Sequence, residues 1–311
     1  MTNILLTWAP PDSVDRIQAA AEAENMDFQY TENTDEIMKL LPEAEIACVA
    51  EWTPEMYQAA KKLRWVHAFS GGISKYIFPE FVASDVAMTS LKGCFNIPGA
   101  EYALAVMLAV AKKLAYDISR RASRKFEVTE PAEIYGKTVG IIGLGGIGEE
   151  IAKRSRDFGM TVLAMASNQR PQLACVNQWY SPELRDELLG RSDYVIVAVP
   201  LTEQTTGMID ASVLSAMKPT GFLVDVSGRP AVYDLDALIE ALRNDRIAGA
   251  SLQIIPDDDS PLWDLENLII SFHRIVSGEQ MSRITDMLCE NIRRYSRGEP
   301  LLGLVDKKAG Y

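Results

Sequence analysis

The stretch that most constrains this chain lies at residues 137–148, K-T-V-G-I-I-G-L-G-G-I-G. An apolar run at 139–142 breaks into glycines spaced G-x-G-x-x-G (Gly143, Gly145, Gly148), and E-E-I-A-K-R-S follows with helical periodicity. The pattern predicts a strand, a tight turn and a helix. Each glycine answers a different need. Gly143 turns the chain, Gly145 lets backbone approach a pyrophosphate, and Gly148 lets the helix pack closely on the strand. The first helical residues, Gly146 and Ile147, offer unpaired N–H groups and the positive end of a dipole to phosphate oxygens. Glycine spacing alone is a weak signal, and an ordinary strand-to-helix turn is the alternative. The flanking strand and helix favour a dinucleotide site.

At 311 residues the chain is long enough for two domains, each with its own core. A formal net charge of -12 argues against nucleic acid or an anionic membrane surface as partner. Cys48, Cys94, Cys175 and Cys289 lie in or beside apolar stretches with no C-x-x-C, and the chain has only two histidines. These features predict reduced thiols in a cytoplasmic protein and no zinc site. The opening M-T-N-I-L-L-T-W-A-P lacks a basic n-region and reads as a first strand rather than a signal peptide. The longest apolar run, 103–111, is far short of the ~18 residues of a membrane span.

Over the first hundred residues, strand-like runs at 4–7, 27–30, 46–50, 65–69 and 86–89 alternate with helical spacing at 11–25, 35–41 and 54–62. Such alternation predicts a parallel sheet covered on both faces. The stretch 97–122, opened by Pro98 and nearly all apolar in its middle, reads as one helix buried at a domain junction. From residue 138 the rhythm repeats, with strands at 138–142, 161–166, 194–199, 222–226, 248–254 and 268–271 and a helix at 234–243. Six strands in this order predict a doubly wound sheet with ligands at the carboxyl ends of its strands. A last amphipathic helix is expected at 280–297, followed by a loosely held tail.

Five ordered segments resemble the D-isomer-specific 2-hydroxyacid dehydrogenases over nearly the whole chain. They are L-R-W-V-H-A-F-S-G-G-I-S-K at 63–75, G-C-F-N-I-P-G-A-E-Y-A-L-A-V-M-L-A at 93–109, V-A-V-P-L-T-E-Q-T at 197–205, A-L-I-E-A-L-R-N-D-R-I-A-G-A at 237–250 and S-P-L-W-D-L-E-N-L-I-I-S-F-H at 260–273. The resemblance implies an α/β fold of two doubly wound parallel-sheet domains. A Rossmann dinucleotide-binding domain (99–279) would be inserted in a flavodoxin-like substrate domain (1–98 and 280–311), so that the final helix returns to the first domain. It also implies a homodimer built around the linker helix and the stretch after it. Cofactor contacts would fall on Val199, Pro200 and Thr205 and on Val226 and Ser227. The N–H groups of Gly71, Gly72 and Ile73 would meet the substrate carboxylate.

Reduction of a 2-keto acid needs a hydride donor, a cation for the carboxylate and an acid for the carbonyl oxygen. His273, just after the strand at 268–271, matches the family's catalytic histidine. The second histidine, His67, lies in a strand-like run between Trp65 and Phe69 and reads as structural or as lining the cleft. Arg229 matches the carboxylate clamp, although one residue is inserted ahead of it and Asp225 stands where the family has asparagine. A solvated arginine is the alternative. Asp258 falls by spacing on the glutamate that orients the histidine, in a loop about four residues shorter than the family's and with Gln253 replacing an aspartate. An acidic surface turn of Asp257, Asp258 and Asp259 is an equal alternative. No metal is expected.

Nicotinamide type is readable after the strand at 161–166, where NAD enzymes carry an acidic residue for the ribose 2′-OH. Here Ala166 takes that place, with Ser167, Asn168 and Arg170 beyond it. This pattern predicts NADP(H) in preference to NAD(H), with NAD(H) still possible. The expected activity is hydride transfer between NADP(H) and a small 2-keto or 2-hydroxy acid such as glyoxylate or hydroxypyruvate. The alternative is a catalytically weak dinucleotide-sensing protein on the same scaffold.

Overall fold

The computed structural model describes residues 2–122, 124, 130–166, 173–272 and 278–310. The chain divides into two compact units, residues 1–95 with 276–311, and residues 96–275. The first unit opens with β1 (Asn3–Leu6), α1 (Val14–Ala23), β2 (Asp27–Tyr30), α2 (Thr34–Leu40), β3 (Ile46–Val49), α3 (Pro54–Ala59), β4 (Trp65–Ala68), α4 (Pro79–Val82) and β5 (Ala87–Ser90). The strands form one parallel sheet in the order β2-β1-β3-β4-β5. β3 and β4 are buried along their whole length, as a sheet covered on both faces requires. Helix starts follow local chemistry. The Asn33 side chain accepts the Glu36 N–H at 3.1 Å, and the Thr53 hydroxyl accepts the Met56 N–H at 3.3 Å ahead of Pro54.

The second unit runs α5 (Asn96–Ala111), α6 (Leu114–Ala122), β6 (Thr138–Ile142), α7 (Gly146–Asp157), β7 (Thr161–Met165), β8 (Gln178–Tyr180), α8 (Arg185–Arg191), β9 (Tyr194–Val197), α9 (Ala211–Ala216), β10 (Phe222–Asp225), α10 (Leu235–Arg243), β11 (Gly249–Gln253) and β12 (Leu268–Ser271). Its sheet is parallel throughout, in the order β12-β11-β10-β9-β6-β7-β8. It has seven strands where the periodicity predicted six, the addition being the three-residue edge strand β8. The order reverses between β6 and β9, which puts the switch point beside the glycine turn. The single helix expected at 97–122 is two helices, because Lys113 takes a left-handed conformation (φ 58°) and ends the first. α5 is buried in the second unit's core, whereas α6 leaves Leu114 and Ile118 exposed.

The final helix, α11 (Gly278–Ser296), lies on the first unit. Leu288, Cys289 and Ile292 pack with Ile17, Ala20 and Ala21 of α1, and Arg16 pairs with Asp286 across the two helices. The segment after α11 is not the loose tail that its polarity suggested. Asn291 donates to the Leu302 carbonyl at 3.0 Å and accepts the Leu302 N–H at 2.7 Å. Leu304 bridges antiparallel to Thr89, and the Lys307 ammonium donates to the carbonyls of Phe81, Ser84 and Val86 at 2.7–2.9 Å. β5 is an edge strand, and its free backbone groups give the segment its partners: Ser90 N–H donates to Gly303 O and Val305 N–H to Met88 O.

Candidate functional site

In the second unit the three glycines of the turn meet three different surroundings. Gly143 adopts φ 93°, and a methyl there would sit 2.7 Å from the Ala198 carbonyl oxygen beyond β9. Gly148 faces the Gly143 carbonyl so closely that a methyl would collide with it. Gly145 has nothing within 4 Å of where a Cβ would stand, so the protein leaves the face of this turn open. Gly145 caps α7, its carbonyl accepting the Glu149 N–H at 2.9 Å. The N–H groups of Gly146, Ile147 and Gly148 belong to the first turn and have no intrahelical acceptor. An open concave face, unpaired N–H donors and a positive helix end fit a dinucleotide pyrophosphate.

Across the switch point, Ala198 to Pro200 follow β9 and pair back to the turn through the Ala198 N–H, which donates to Ile142 O at 2.9 Å. The Thr205 hydroxyl knots the following loop by donating to Pro200 O at 2.6 Å. Val226 leaves β10 buried, with its N–H on Val197 O at 3.1 Å. Val199, Pro200, Thr205, Val226 and Ser227 therefore all sit at the carboxyl edge of the β6, β9 and β10 strands. Ser167, Asn168 and Arg170 lie outside the described residues. Ala166, which is described, follows β7 at the same edge.

Beyond β10 the chain turns through residues 226–229 before the 3-10 turn at 230–232. Asp225 closes the strand and is 2% exposed. Its Oδ1 accepts the Ser227 N–H at 2.8 Å, the Ser227 hydroxyl at 2.6 Å and the Gly228 N–H at 3.3 Å, while Oδ2 accepts the Gln253 N–H at 3.2 Å. Burial pushes the Asp225 carboxyl above its ordinary pKa, and the Ser227 and Gln253 bonds pull it back. Gly228 adopts a left-handed conformation (φ 59°) in this turn. Arg229 follows, half-buried, its N–H on the Ser227 hydroxyl at 3.2 Å. No hydrogen bond or ion pair engages its guanidinium among the described residues.

Two strands over, the Tyr102 hydroxyl on α5 bonds the hydroxyls of Ser251 and Ser271 at 2.7 Å each. Ser271 ends β12, two residues before His273, which itself lies outside the described residues. Asp258 is in an exposed turn with Asp257 and Asp259, and among the described residues its carboxylate has no hydrogen bond. Sequence reasoning missed Tyr102, Ser251 and Ser271. The only signal was hydroxyl groups set in otherwise apolar elements.

The first unit holds the loop after β4. Ser70 donates to Gly72 O at 2.7 Å, and the Phe95 ring lies 2.9 Å from where a Gly71 Cβ would stand. The N–H groups of Gly71, Gly72 and Ile73 donate to no acceptor among the described residues. Three successive free donors suit an anionic group. His67 is fully buried rather than lining any cleft: its Nδ1 meets the Thr89 hydroxyl at 2.8 Å. The described residues contain no cluster of metal ligands, no disulfide, and no helix long and apolar enough to cross a membrane.

Comparison with known proteins agrees with this geometry. The family model for the NAD binding domain of D-isomer specific 2-hydroxyacid dehydrogenases matches residues 104–274. The glyoxylate reductase of Korarchaeum cryptofilum is 34% identical over 267 residues, covering 82% of this chain and 79% of that one. A D-isomer specific 2-hydroxyacid dehydrogenase family protein from Aeromonas salmonicida superposes with a TM-score of 0.81 at 25% identity, over 98% of this chain and 99% of that one. The NADPH-dependent glyoxylate/hydroxypyruvate reductase of Sinorhizobium meliloti, solved with NADP and sulfate, has the same fold, with a TM-score of 0.84 at 20% identity over the whole of both chains. A Rossmann unit with an open glycine turn and a match over more than half the chain leave one assignment: the protein belongs to the D-isomer-specific 2-hydroxyacid dehydrogenase family and is an NAD(P)-dependent dehydrogenase.

Proposed function

We propose that the chain is an NADP(H)-preferring reductase of small 2-keto acids, with glyoxylate and hydroxypyruvate as first substrates. The observation that carries this reading is Arg229, a half-buried residue whose guanidinium has no partner among the described residues, at the carboxyl edge of the nucleotide sheet. Its fixed fork and permanent charge suit a carboxylate. Within the first unit, the N–H groups of Gly71, Gly72 and Ile73, which donate to no acceptor among the described residues, suit an anionic group on their own. When bound, the nicotinamide supplies the hydride that adds to the carbonyl carbon. His273 gives its proton to the carbonyl oxygen, so that the carbonyl becomes an alcohol. Asp258 enters the reading only by its place between β11 and β12. A D258N variant with unchanged kcat and pH profile removes it.

Support for NADP(H) comes from Ala166, which leaves no carboxylate at the end of β7 to repel a 2′-phosphate. The names of its relatives point the same way, since the Korarchaeum protein is a glyoxylate reductase and the Sinorhizobium one is NADPH-dependent. A cofactor-sensing role is not favoured, because the relatives are enzymes by name. The same reading includes a cytoplasmic homodimer. It is supported by four free cysteines and by Leu114 and Ile118, which are 50% and 72% exposed on α6. Sedimentation velocity tests the dimer.

The deciding assay follows oxidation of NADPH and of NADH with glyoxylate, hydroxypyruvate, pyruvate and a bulky aromatic keto acid. Turnover is expected with the small acids and with NADPH ahead of NADH. Tight cofactor binding without turnover on any of them rejects the reading.

A further inference from the structure

We propose that Asp225 is the positioning residue of the carboxylate clamp, its buried carboxylate holding the turn that presents Arg229 and fastening that turn to β11. The inference rests on the reading of Arg229 given above. No cation pairs with Asp225 among the described residues; four hydrogen bonds, with the Tyr233 hydroxyl as a further neighbour, face its carboxylate. Three of them come from Ser227 and Gly228, the two residues just ahead of Arg229. The Ser227 hydroxyl relays the hold, donating to Asp225 and accepting the Arg229 N–H. Without the carboxylate, the left-handed Gly228 and the Ser227 hydroxyl would have nothing on the strand to fix them.

The fourth bond reaches across the sheet. Gln253, the last residue of β11, gives its N–H to Asp225 Oδ2, and its side-chain amide donates to the Asp225 carbonyl at 3.4 Å. Gln253 stands in register with Ser271, the last residue of β12, whose hydroxyl is held by Tyr102. A single polar layer thus crosses the carboxyl ends of β10, β11 and β12 inside an otherwise apolar core. The turn bearing Arg229 leaves one end of that layer, and the segment leading to His273 leaves the other. Only a carboxylate accepts at both oxygens at once. An amide of the same shape turns a donor toward either Ser227 or the Gln253 N–H.

The test is D225N, alone and with R229Q, in the NADPH-loaded protein. Expected for D225N is a loss in kcat/KM for glyoxylate of about 10²-fold, as a guanidinium misplaced by ~1 Å would give. The loss should be carried mainly by KM, with the affinity for oxamate falling in parallel and that for NADPH held. In the R229Q background the same substitution should change kcat/KM by less than about twofold, because its effect passes through Arg229. If D225N does not fold, S227A, which cuts the relay alone, should give a smaller loss in glyoxylate kcat/KM and in oxamate affinity, with its NADPH affinity titrated separately because Ser227 also faces the cofactor. Normal glyoxylate and oxamate constants in D225N, or an equal loss in both backgrounds, overturns the proposal while leaving the function standing. Absence of turnover and of oxamate binding in the unaltered protein removes both.

Discussion

His67 should make this protein acid-labile by an amount that one substitution removes. The ring is fully buried, and burial pushes its pKa down to about 3. Trp65 Nε1 donates to the Thr89 hydroxyl at 2.8 Å, and His67 Nδ1 lies 2.8 Å from the same hydroxyl. Nε2 is buried with no partner among the described residues. Adding a second proton would charge the ring in an apolar site and leave its Nε2–H without an acceptor there. Above pH ~6.5 neither folded nor unfolded chain binds this proton, and stability is level. Below it the unfolded chain takes up a proton that the folded one refuses, at a cost of about 1.4 kcal/mol per pH unit until pH ~3. Between pH 7.5 and pH 5.0 the loss from this one group is roughly 2 kcal/mol. Urea unfolding at both pH values, on the unaltered protein and on His67→Asn, isolates it, because the other titrating groups cancel in the difference. Asparagine keeps an acceptor for the Thr89 hydroxyl and does not titrate. The two proteins should differ by roughly 2 kcal/mol in their loss on acidification. Equal losses would refute the assignment of a neutral buried imidazole.

Three further outcomes are expected. H273Q should lower turnover at least ~10²-fold while sparing NADPH affinity in a fluorescence titration, as loss of a general acid does; unchanged turnover excludes His273. G145V should fold with an unaltered melting temperature, because nothing surrounds its Cβ, yet bind NADPH poorly, whereas G148A should lose about 1–3 kcal/mol from its collision with the Gly143 carbonyl. A G145V protein that binds cofactor normally would show that the open face serves something else. K307M leaves the carbonyls of Phe81, Ser84 and Val86 without their ammonium donor and should cost about 1–3 kcal/mol in urea unfolding. A smaller effect would mean that water replaces the ammonium.

Much of this fold was legible because its signals are local. The glycine turn needs φ > 0 at Gly143 and close approach at Gly148, and both demands are written within a dozen residues. The apolar strands declared themselves by composition, as buried parallel strands do. β8 did not, since three residues reading Q-W-Y have no period to detect. Lys113 was hidden for a related reason: a single left-handed lysine leaves no mark on an apolar pattern that resumes beyond it. The polar layer of the site was out of reach because its members, Tyr102, Asp225, Gln253 and Ser271, are far apart in the chain and meet only when the sheet and α5 assemble. Asp225 and Gln253 stood out as departures from a family pattern, and their contact gives those departures a shared physical basis. The segment after α11 looked solvated because the carbonyls that hold Lys307 belong to residues more than two hundred positions earlier.

The return of α11 to the first unit also sets an order in time. Residues 96–275 form their compact unit from one continuous stretch, which can close as soon as it leaves the ribosome. The first unit cannot, because α1 lacks its covering helix and β5 its edge partner until the residues after 276 are made. At ~5–20 residues per second, the opening ninety-five residues wait roughly 10–40 s with that surface uncovered. During synthesis the nucleotide unit therefore closes before the unit whose first strands precede it in the chain, and that nascent first unit is the state that chaperones would meet.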